Sequence, residues 1–195
     1  MKKYFFLIAM MLQFLAFSQK ETAEIIDSVS INADRFIGRD GSDNYFYLKN
    51  EVFYKKSKKN VLQYSNFSLG IPTKVDIINP LKIILFYEKF NTIVLLDSQL
   101  NEIQKIDFSK SETELIANCV GLSSLNSVWI YNTINQQLLL YSLQSNPVKT
   151  IGNPLQEVPV FYQSNFNYFY WITNQNELFS MSIFGNMTAL GNTKK

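Results

Sequence analysis

From residue 35 onward the chain alternates short apolar runs with polar clusters. The runs are four to eight residues long and rich in Val, Ile, Phe and Tyr, and the clusters between them are built of Asn, Ser, Asp, Gly and Lys. Runs of this length bounded by turn-forming residues are typical of β-strands joined by hairpins. No long window shows the 3.6-residue period of an amphipathic helix. The pattern therefore predicts an all-β protein.

One hairpin outline occurs four times, as an apolar strand, a polar turn and a second strand that follow Asn50, Asn91, Asn135 and Asn176. The middle of the first strand in each copy is apolar, at Phe53, Val94, Leu139 and Phe179, with spacings of 41, 45 and 40 residues. The same spacings separate a residue in each second strand, at Leu62, Ile103, Val148 and Thr188. Independent loops would not drift together, so the hairpin belongs to one repeated unit.

Two further strands are predicted before each hairpin. The first strands of the four units cover Arg35–Arg39, Lys74–Ile78, Leu115–Leu122 and Val158–Tyr162. The second strands cover Tyr45–Leu48, Leu81–Tyr87, Ser127–Tyr131 and Tyr168–Ile172. Segments such as KIILFY and YFYWI are apolar on both faces, which favours strands covered on both sides.

Four strands in 40 to 45 residues match one blade of a β-propeller. Over residues 35–191 the chain resembles the β-propeller repeat proteins as a class, in period and strand count. It lacks the Trp-Asp dipeptide, the double glycine of kelch repeats and the Ser-x-Asp-x-Gly-x-Thr-Trp box of sialidase-like propellers. The resemblance therefore implies an architecture of four four-stranded antiparallel units, and no activity.

Four units leave open how the ends of the propeller are covered. We expect a closed monomer in which a strand within residues 25–31 pairs beside the last strand, Met187–Leu190. A half-propeller that dimerises is an alternative, because exposed sheet edges favour association. A two-sheet β-sandwich is the second alternative, although its outer faces would be polar at alternate positions.

The first eighteen residues are predicted to be a cleaved signal peptide. Lys2 and Lys3 precede an apolar run, and the small residues Ala16 and Ser18 at the positions that a signal peptidase reads place the cleavage between Ser18 and Gln19. Residues 19–34 form a polar lead-in with the candidate closing strand, and residues 192–195 form a basic tail. No later segment has the length of a transmembrane helix. We therefore expect an exported protein that is periplasmic, outer-membrane associated or extracellular.

Charge and residue content argue against two function classes. Removing Lys2 and Lys3 takes Lys plus Arg from 18 to 16, which equals the 16 Asp plus Glu, and a neutral chain lacks the basic footprint of nucleic-acid binding. The chain contains no histidine, the commonest general base and zinc ligand. Its one cysteine, Cys119, lies in an apolar strand. We expect a protein that is not an enzyme and needs no cofactor.

Candidate ligand-binding residues are the two arginines and two tyrosines. Arg35 and Arg39 lie four apart on the first strand, so an uninterrupted strand would point both guanidinium groups to one face, toward the channel of a propeller. Tyr162 and Tyr170 are candidates for stacking on a ligand or partner. Both arginines also have nearby acids with which to pair, and the tyrosines would equally suit a core.

The loop containing Asp40, Asp43 and Asn44 is a candidate calcium site, although Asp, Asn and Gly are also what a tight turn requires. We assign no other metal site.

These observations predict a non-catalytic binding or scaffold protein of the bacterial envelope, whose partner is another envelope protein. A small-ligand or carbohydrate binder that uses the arginines and aromatic residues is the alternative. The third hypothesis is a hydrolase that uses two carboxylates.

Overall fold

The computed structural model describes residues 28–111, 113–124, 126–145 and 147–193. The chain divides into two compact units, residues 1–32 and 33–195. In the first unit only residues 28–32 are described, and they carry no strand. In the second unit the described residues form four four-stranded sheets, which we number as blades 1 to 4 in chain order.

The strands of the four blades have the following bounds. Blade 1 contains β1 (Arg35–Arg39), β2 (Tyr45–Lys49), β3 (Val52–Lys56) and β4 (Val61–Tyr64). Blade 2 contains β5 (Lys74–Asp76), β6 (Ile83–Tyr87), β7 (Thr92–Leu96) and β8 (Glu102–Asp107). Blade 3 contains β9 (Ala117–Leu122), β10 (Ser127–Asn132), β11 (Gln137–Ser142) and β12 (Val148–Ile151). Blade 4 contains β13 (Phe161–Ser164), β14 (Tyr168–Ile172), β15 (Glu177–Ser182) and β16 (Met187–Asn192). Two short 3₁₀ helices, Glu88–Phe90 and Phe108–Lys110, lie in blade 2 and directly after it.

Each blade is an antiparallel meander in which every strand pairs with the next along the chain. The hairpin between its second and third strands turns on a residue with positive φ, which asparagine adopts more readily than most residues. These residues are Asn50 (47°), Asn91 (47°), Gln136 (58°) and Asn176 (63°). The asparagine that recurs in the sequence therefore lies at the turn or, in blade 3, directly before the turn residue.

The predicted all-β fold of four repeated blades is confirmed, with a one-residue correction to the repeat in blade 1. The third strands begin at spacings of 40, 45 and 40 residues, at Val52, Thr92, Gln137 and Glu177. Phe53 packs toward blade 2, whereas Val94 of blade 2 packs back toward blade 1. Phe53 therefore corresponds to Ile93, because the turn at Asn50 and Glu51 is shorter than those of the other blades.

Three hydrophobic clusters lie between successive blades. Blades 1 and 2 share a cluster that contains Phe53 and Leu85, and blades 2 and 3 share one that contains Phe86 and Ile130. Blades 3 and 4 share a cluster around Trp129, Phe169 and Trp171. Burial of aromatic and aliphatic side chains on this scale is the main stabilising term of the fold.

Hydrogen bonds also join neighbouring blades. Arg35 donates to the carbonyl oxygens of Pro72 (2.7 Å) and Thr73 (3.0 Å) ahead of blade 2. The indole nitrogen of Trp129 in blade 3 donates to the carbonyl oxygen of Asn165 in blade 4 at 3.1 Å. These bonds satisfy polar groups at the edges of the clusters.

No comparable cluster joins blade 4 to blade 1 among the described residues of the second unit. The candidate closing strand is absent where it is described, because residues 28–31 are not in a strand, and residues 25–27 lie outside the described residues. In the described chain β16 pairs with β15 alone. Among the described residues the series of four blades therefore has two ends.

Candidate functional site

The first strands of the four blades converge on a cavity of about 440 Å³, which we call the channel cavity. Its wall includes Arg39 from β1, Lys74 and Asp76 from β5, Val120 from β9, and Phe161 and Tyr162 from β13. Since each blade contributes its first strand, the cavity is a product of the repeat. Convergence of charged and aromatic side chains in a concave site is the usual setting of a binding site.

Lys74 supplies a positive charge to this cavity. Its ammonium nitrogen lies 4.9 Å from the centre of the Tyr162 ring and 5.9 Å from that of Phe161, which is cation–π geometry. No ion pair joins Lys74 to an acidic side chain among the residues described. The aromatic faces orient the ammonium group and leave its charge without a paired carboxylate.

Asp76 is the buried acid beside Lys74. One carboxylate oxygen accepts from the backbone nitrogen of Ile78 at 2.9 Å, and the other accepts from that of Leu122 in blade 3 at 2.7 Å. Burial raises the pKa of Asp76, outweighing the opposing effects of these two hydrogen bonds and of Lys74. The contacts give Asp76 a structural role, because it connects blade 2 to blade 3.

Gly121 allows three blades to meet at this point. A Cβ atom at Gly121 would lie 1.9 Å from the hydroxyl oxygen of Ser164 in blade 4 and 3.2 Å from a carboxylate oxygen of Asp76. Only a residue without a side chain fits between blades 2 and 4 here.

Tyr162 lies at the cavity wall and packs against the hydrophobic cluster between blades 3 and 4. Its ring stacks on Phe169 with centroids 5.6 Å apart. Its hydroxyl group accepts from the backbone nitrogen of Val120 at 3.1 Å and lies 3.3 Å from that residue's carbonyl oxygen. Burial raises the pKa of the Tyr162 phenol, which favours its protonated form. The exposed part of the aromatic wall is Phe161, of which 57% is accessible.

The expectation that Arg35 and Arg39 share a face is wrong. A bulge between Phe36 and Gly38 shifts the register of β1, so Arg35 lies opposite Leu48 and Arg39 opposite Tyr45. Arg35 faces blade 2, where partial burial lowers its pKa. Arg39 forms an ion pair with Asp43 and contributes to the channel cavity. The ligand-binding roles of both arginines stay predictions, and of the two only Arg39 lines the channel cavity.

The candidate calcium loop uses its oxygen atoms internally. The Asp40 carboxylate accepts from the backbone nitrogens of Ser42 and Asn44 and from the Asn44 side chain, at 2.8 to 3.0 Å. Asp43 is paired with Arg39 and lies 3.8 Å from the ammonium group of Lys58. These contacts are those of a tight turn. Across the described ranges no group of three His, Cys, Asp or Glu side chains is arranged to hold a metal.

The two ends of the blade series present aromatic surfaces. We call the side of blade 1 away from blade 2 the blade-1 end face, formed by Phe36, Tyr45, Tyr47, Tyr54 and Val61. We call the side of blade 4 away from blade 3 the blade-4 end face, formed by Phe161, Tyr168, Tyr170, Ile172 and Leu178. Tyr47 stacks on Tyr54 at 5.2 Å, and Tyr168 lies 6.0 Å from Tyr170. Tyr170 therefore lies on an end face, outside the channel cavity.

A wider cleft of about 1040 Å³ lies at the outer strands of blades 2 and 3. The acid in its lining, Asp107, accepts from the backbone nitrogen of Ser109 and lies 3.6 Å from the ammonium group of Lys110. Its size alone does not make it a binding site, and the convergence of all four blades favours the channel cavity.

The fold defines the class of protein. No known family model matches the sequence, and no curated protein matches it. Among solved structures the chain is similar to virginiamycin B lyase from Staphylococcus aureus (13% identity, TM-score 0.56, covering 79% of this chain and 54% of the lyase). It is also similar to the catalytically inactive form of that lyase with quinupristin (12% identity, TM-score 0.59, covering 86% and 59%) and to the tricorn protease (10% identity, TM-score 0.51, covering 80% and 16%).

The chain is thus a β-propeller protein of four blades. It spans just over half the length of the lyases that it resembles. At these identities the likeness concerns the fold alone, and the activities of those proteins are not transferred by it.

Proposed function

We propose that this protein is an exported, non-catalytic binding protein of the bacterial envelope that holds another envelope protein at its channel cavity. The observation that carries the proposal is the Lys74 ammonium group, which lies against Tyr162 and Phe161 in that cavity without an ion pair among the described residues. A partner would supply the missing negative charge through an acidic side chain or a terminal carboxylate.

The surroundings of Lys74 suit such a contact. Arg39 adds a second positive charge, and the exposed ring of Phe161 adds apolar surface beside it. Aromatic and arginine side chains contribute disproportionately to protein interfaces. An acidic group followed by an apolar residue is therefore the partner feature that this cavity would recognise.

The groups with catalytic potential near the cavity have structural roles. Asp76 is engaged by two backbone N–H groups, and Cys119 is buried with a raised pKa, which disfavours its thiolate. The sequence contains no histidine. These features favour binding over catalysis.

Export rests on the amino-terminal pattern of residues 1–18, which lie outside the described residues. The measurement is the amino-terminal residue of the protein recovered from cells after fractionation. Gln19 at the terminus of an envelope-fraction protein is the expected result, and an intact Met1 in the cytosolic fraction contradicts export. Across residues 28–111, 113–124, 126–145 and 147–193 no helix has the length and apolarity needed to cross a membrane.

A small anionic ligand or acidic sugar is the second candidate for the same cavity. The observation that favours it is the volume of about 440 Å³, which lies within the range of roughly 300–1,000 Å³ typical of small-molecule sites. Phe161 would stack on a ring of such a ligand, and Lys74 would pair with its charge.

The test is affinity isolation of the carboxyl-terminally tagged full chain from gently solubilised envelopes, followed by mass spectrometry. Lys74→Gln removes the charge at the cavity, and Lys149→Gln is the matched control because Lys149 is exposed on β12, outside the cavity. We expect an envelope protein that is retained by the wild type and Lys149→Gln and lost from Lys74→Gln. Equal retention by Lys74→Gln contradicts the cavity as its site, and no retained protein directs the search to small ligands.

A further inference from the structure

The end faces occupy positions that the inner blades bury. Corresponding positions in the second strand are occupied by Ile84 in blade 2, Trp129 in blade 3 and Tyr170 in blade 4. Each lies two residues before the last residue of its strand on the side toward a following blade. Ile84 and Trp129 are 1% and 0% exposed, because a following blade covers them. No blade among the described residues covers Tyr170, which is partly exposed, and its neighbour Tyr168 is 43% exposed.

The other end shows the same contrast. Leu85 in blade 2 and Ile130 in blade 3 face the preceding blade and are fully buried. Tyr47 holds the corresponding position in blade 1, where its partner across the strand pair is Tyr54. Both tyrosines are partly exposed, and Phe36 beside them is 55% exposed. Both ends therefore carry aromatic side chains where a neighbouring blade would pack.

Charge distinguishes which face can meet which. The blade-1 end face also carries Arg39, Lys49 and Lys56, because these residues point to the same side of their strands as Tyr45, Tyr47 and Tyr54. The blade-4 end face carries no charged side chain among the described residues of β13 to β16 that point away from blade 3. Two blade-1 end faces would bring like charges together, whereas a blade-1 face against a blade-4 face would not.

We propose that the partner of both end faces is a second copy of this chain. The blade-4 end face of one copy packs against the blade-1 end face of the other, and a two-fold axis repeats the contact at the opposite junction. Two four-bladed chains then form one ring of eight blades, at the upper end of the usual range of about four to eight. The blade-4 end face shares Phe161 with the wall of the channel cavity, and the pairing of the end faces does not require the partner proposed for that cavity.

The similar structures support a ring larger than one copy provides. The superposition on the lyases includes 79–86% of this chain but only 54–59% of the lyase chains. Its blades are thus arranged like part of a propeller with almost twice as much chain. A second copy would supply the remaining part through surfaces that are already aromatic and partly exposed.

The first test is the mass of the purified mature chain by sedimentation velocity across a concentration series. We expect twice the monomer mass, and a monomer at every concentration overturns the proposal. Tyr170→Lys places a positive charge on the blade-4 end face, against a face that carries Lys49 and Lys56, and should weaken the dimer at least tenfold. Phe67→Lys is the control, because Phe67 is 96% exposed and lies outside both end faces. Equal weakening by both variants, or by neither, also overturns it.

The second test separates the proposed pairing from other dimers. Tyr54→Cys and Tyr170→Cys chains are treated with a short bis-maleimide linker, separately and mixed. Cys119 is 1% exposed and is expected to remain unreacted. We expect linked dimers only in the mixture, because each junction combines one face of each kind. Links within either single-variant sample, or no links in the mixture, contradict the eight-bladed ring.

Discussion

Blades 2 and 3 differ from blades 1 and 4 in how many of their faces are buried. The second strand of each inner blade is buried along its whole length, in β6 (IILFY) and β10 (SVWIYN). The second strands of the terminal blades alternate between buried and more exposed residues, in β2 (YFYLK) and β14 (YFYWI). The blades share one topology, so position in the series, rather than internal structure, decides the role of each face.

The largest expected effect compares Trp129 with Tyr170, the corresponding residues of blades 3 and 4. Trp129→Ala should lower the free energy of unfolding by about 3–5 kcal/mol, because it empties a fully buried site. Tyr170→Ala should cost about 1 kcal/mol or less at concentrations where the chain is monomeric, because its side chain is partly exposed. Urea unfolding monitored by tryptophan fluorescence and circular dichroism measures both. Equal losses would contradict the difference between inner and terminal faces.

Asp76 tests the junction of two inner blades. Asp76→Asn should cost about 1–3 kcal/mol, since an amide nitrogen cannot accept from the backbone of Ile78 or Leu122. Glu177→Gln on blade 4 is the control, because no hydrogen bond to the Glu177 carboxylate occurs in the described structure and its loss should change little.

The same variant gives a pH dependence. The folded-state pKa of Asp76 lies above its unfolded value of about 3.8, so the native state holds the proton more tightly. The free energy of unfolding contributed by this group therefore falls as pH rises from about 4 through the raised pKa. The stability of wild type relative to Asp76→Asn should decline over that window in urea unfolding series. The series should run from about pH 3 to about pH 8, which brackets an ordinary carboxyl pKa. If the stability difference between wild type and Asp76→Asn stays constant over this range, the burial of the Asp76 carboxyl is contradicted.

Gly121 sharpens the description of the point where three blades meet. Gly121→Ala should cost about 1–3 kcal/mol, because its Cβ atom collides with the Ser164 hydroxyl oxygen. Ser164→Ala removes that oxygen and should recover part of the loss in the double variant. Thermal unfolding of the two single variants and the double variant measures the coupling. Purely additive losses would mean that the two residues do not touch.

The smallest effect compares the two arginines of β1. Arg35→Ala should cost about 1 kcal/mol, because it removes two hydrogen bonds to the chain ahead of blade 2. Arg39→Ala should cost less than about 0.5 kcal/mol, because its ion pair with Asp43 is largely exposed. Chemical unfolding of both variants checks the order, and the reverse order would contradict the register shift in β1.

The sequence predicted the blades because strand alternation and turn residues are local. The recurring asparagine marked turns whose positive φ angles the structure contains. The bulge in β1 was not predictable, because only Gly38 distinguishes the segment RFIGR from a regular strand. A Cβ atom at Gly38 would lie 3.0 Å from the side chain of Ile77. Because of this bulge, the prediction that Arg35 and Arg39 share one face of the strand was wrong.

The site was less predictable than the fold, because it depends on contacts between blades. Lys74 had no distinguishing pattern, although its place in the first strand of a unit, with Tyr162 in the same strand of another, was a usable signal. Likewise YFYWI in β14 has the apolar composition of a strand covered on both sides. Its tyrosines at alternate positions, rather than aliphatic residues, were the signal of a surface.

Hydrogen exchange of the mature chain at several protein concentrations most directly tests whether the terminal blades are completed by a second copy. Peptides from β2, β3, β14 and β15 should gain protection as concentration rises through the dimer dissociation constant, because local opening of these blades then requires separation of the copies. Peptides from β6 and β10 should change far less. Protection that is equal in all four blades and independent of concentration would contradict the distinction between inner and terminal blades and the eight-bladed ring together.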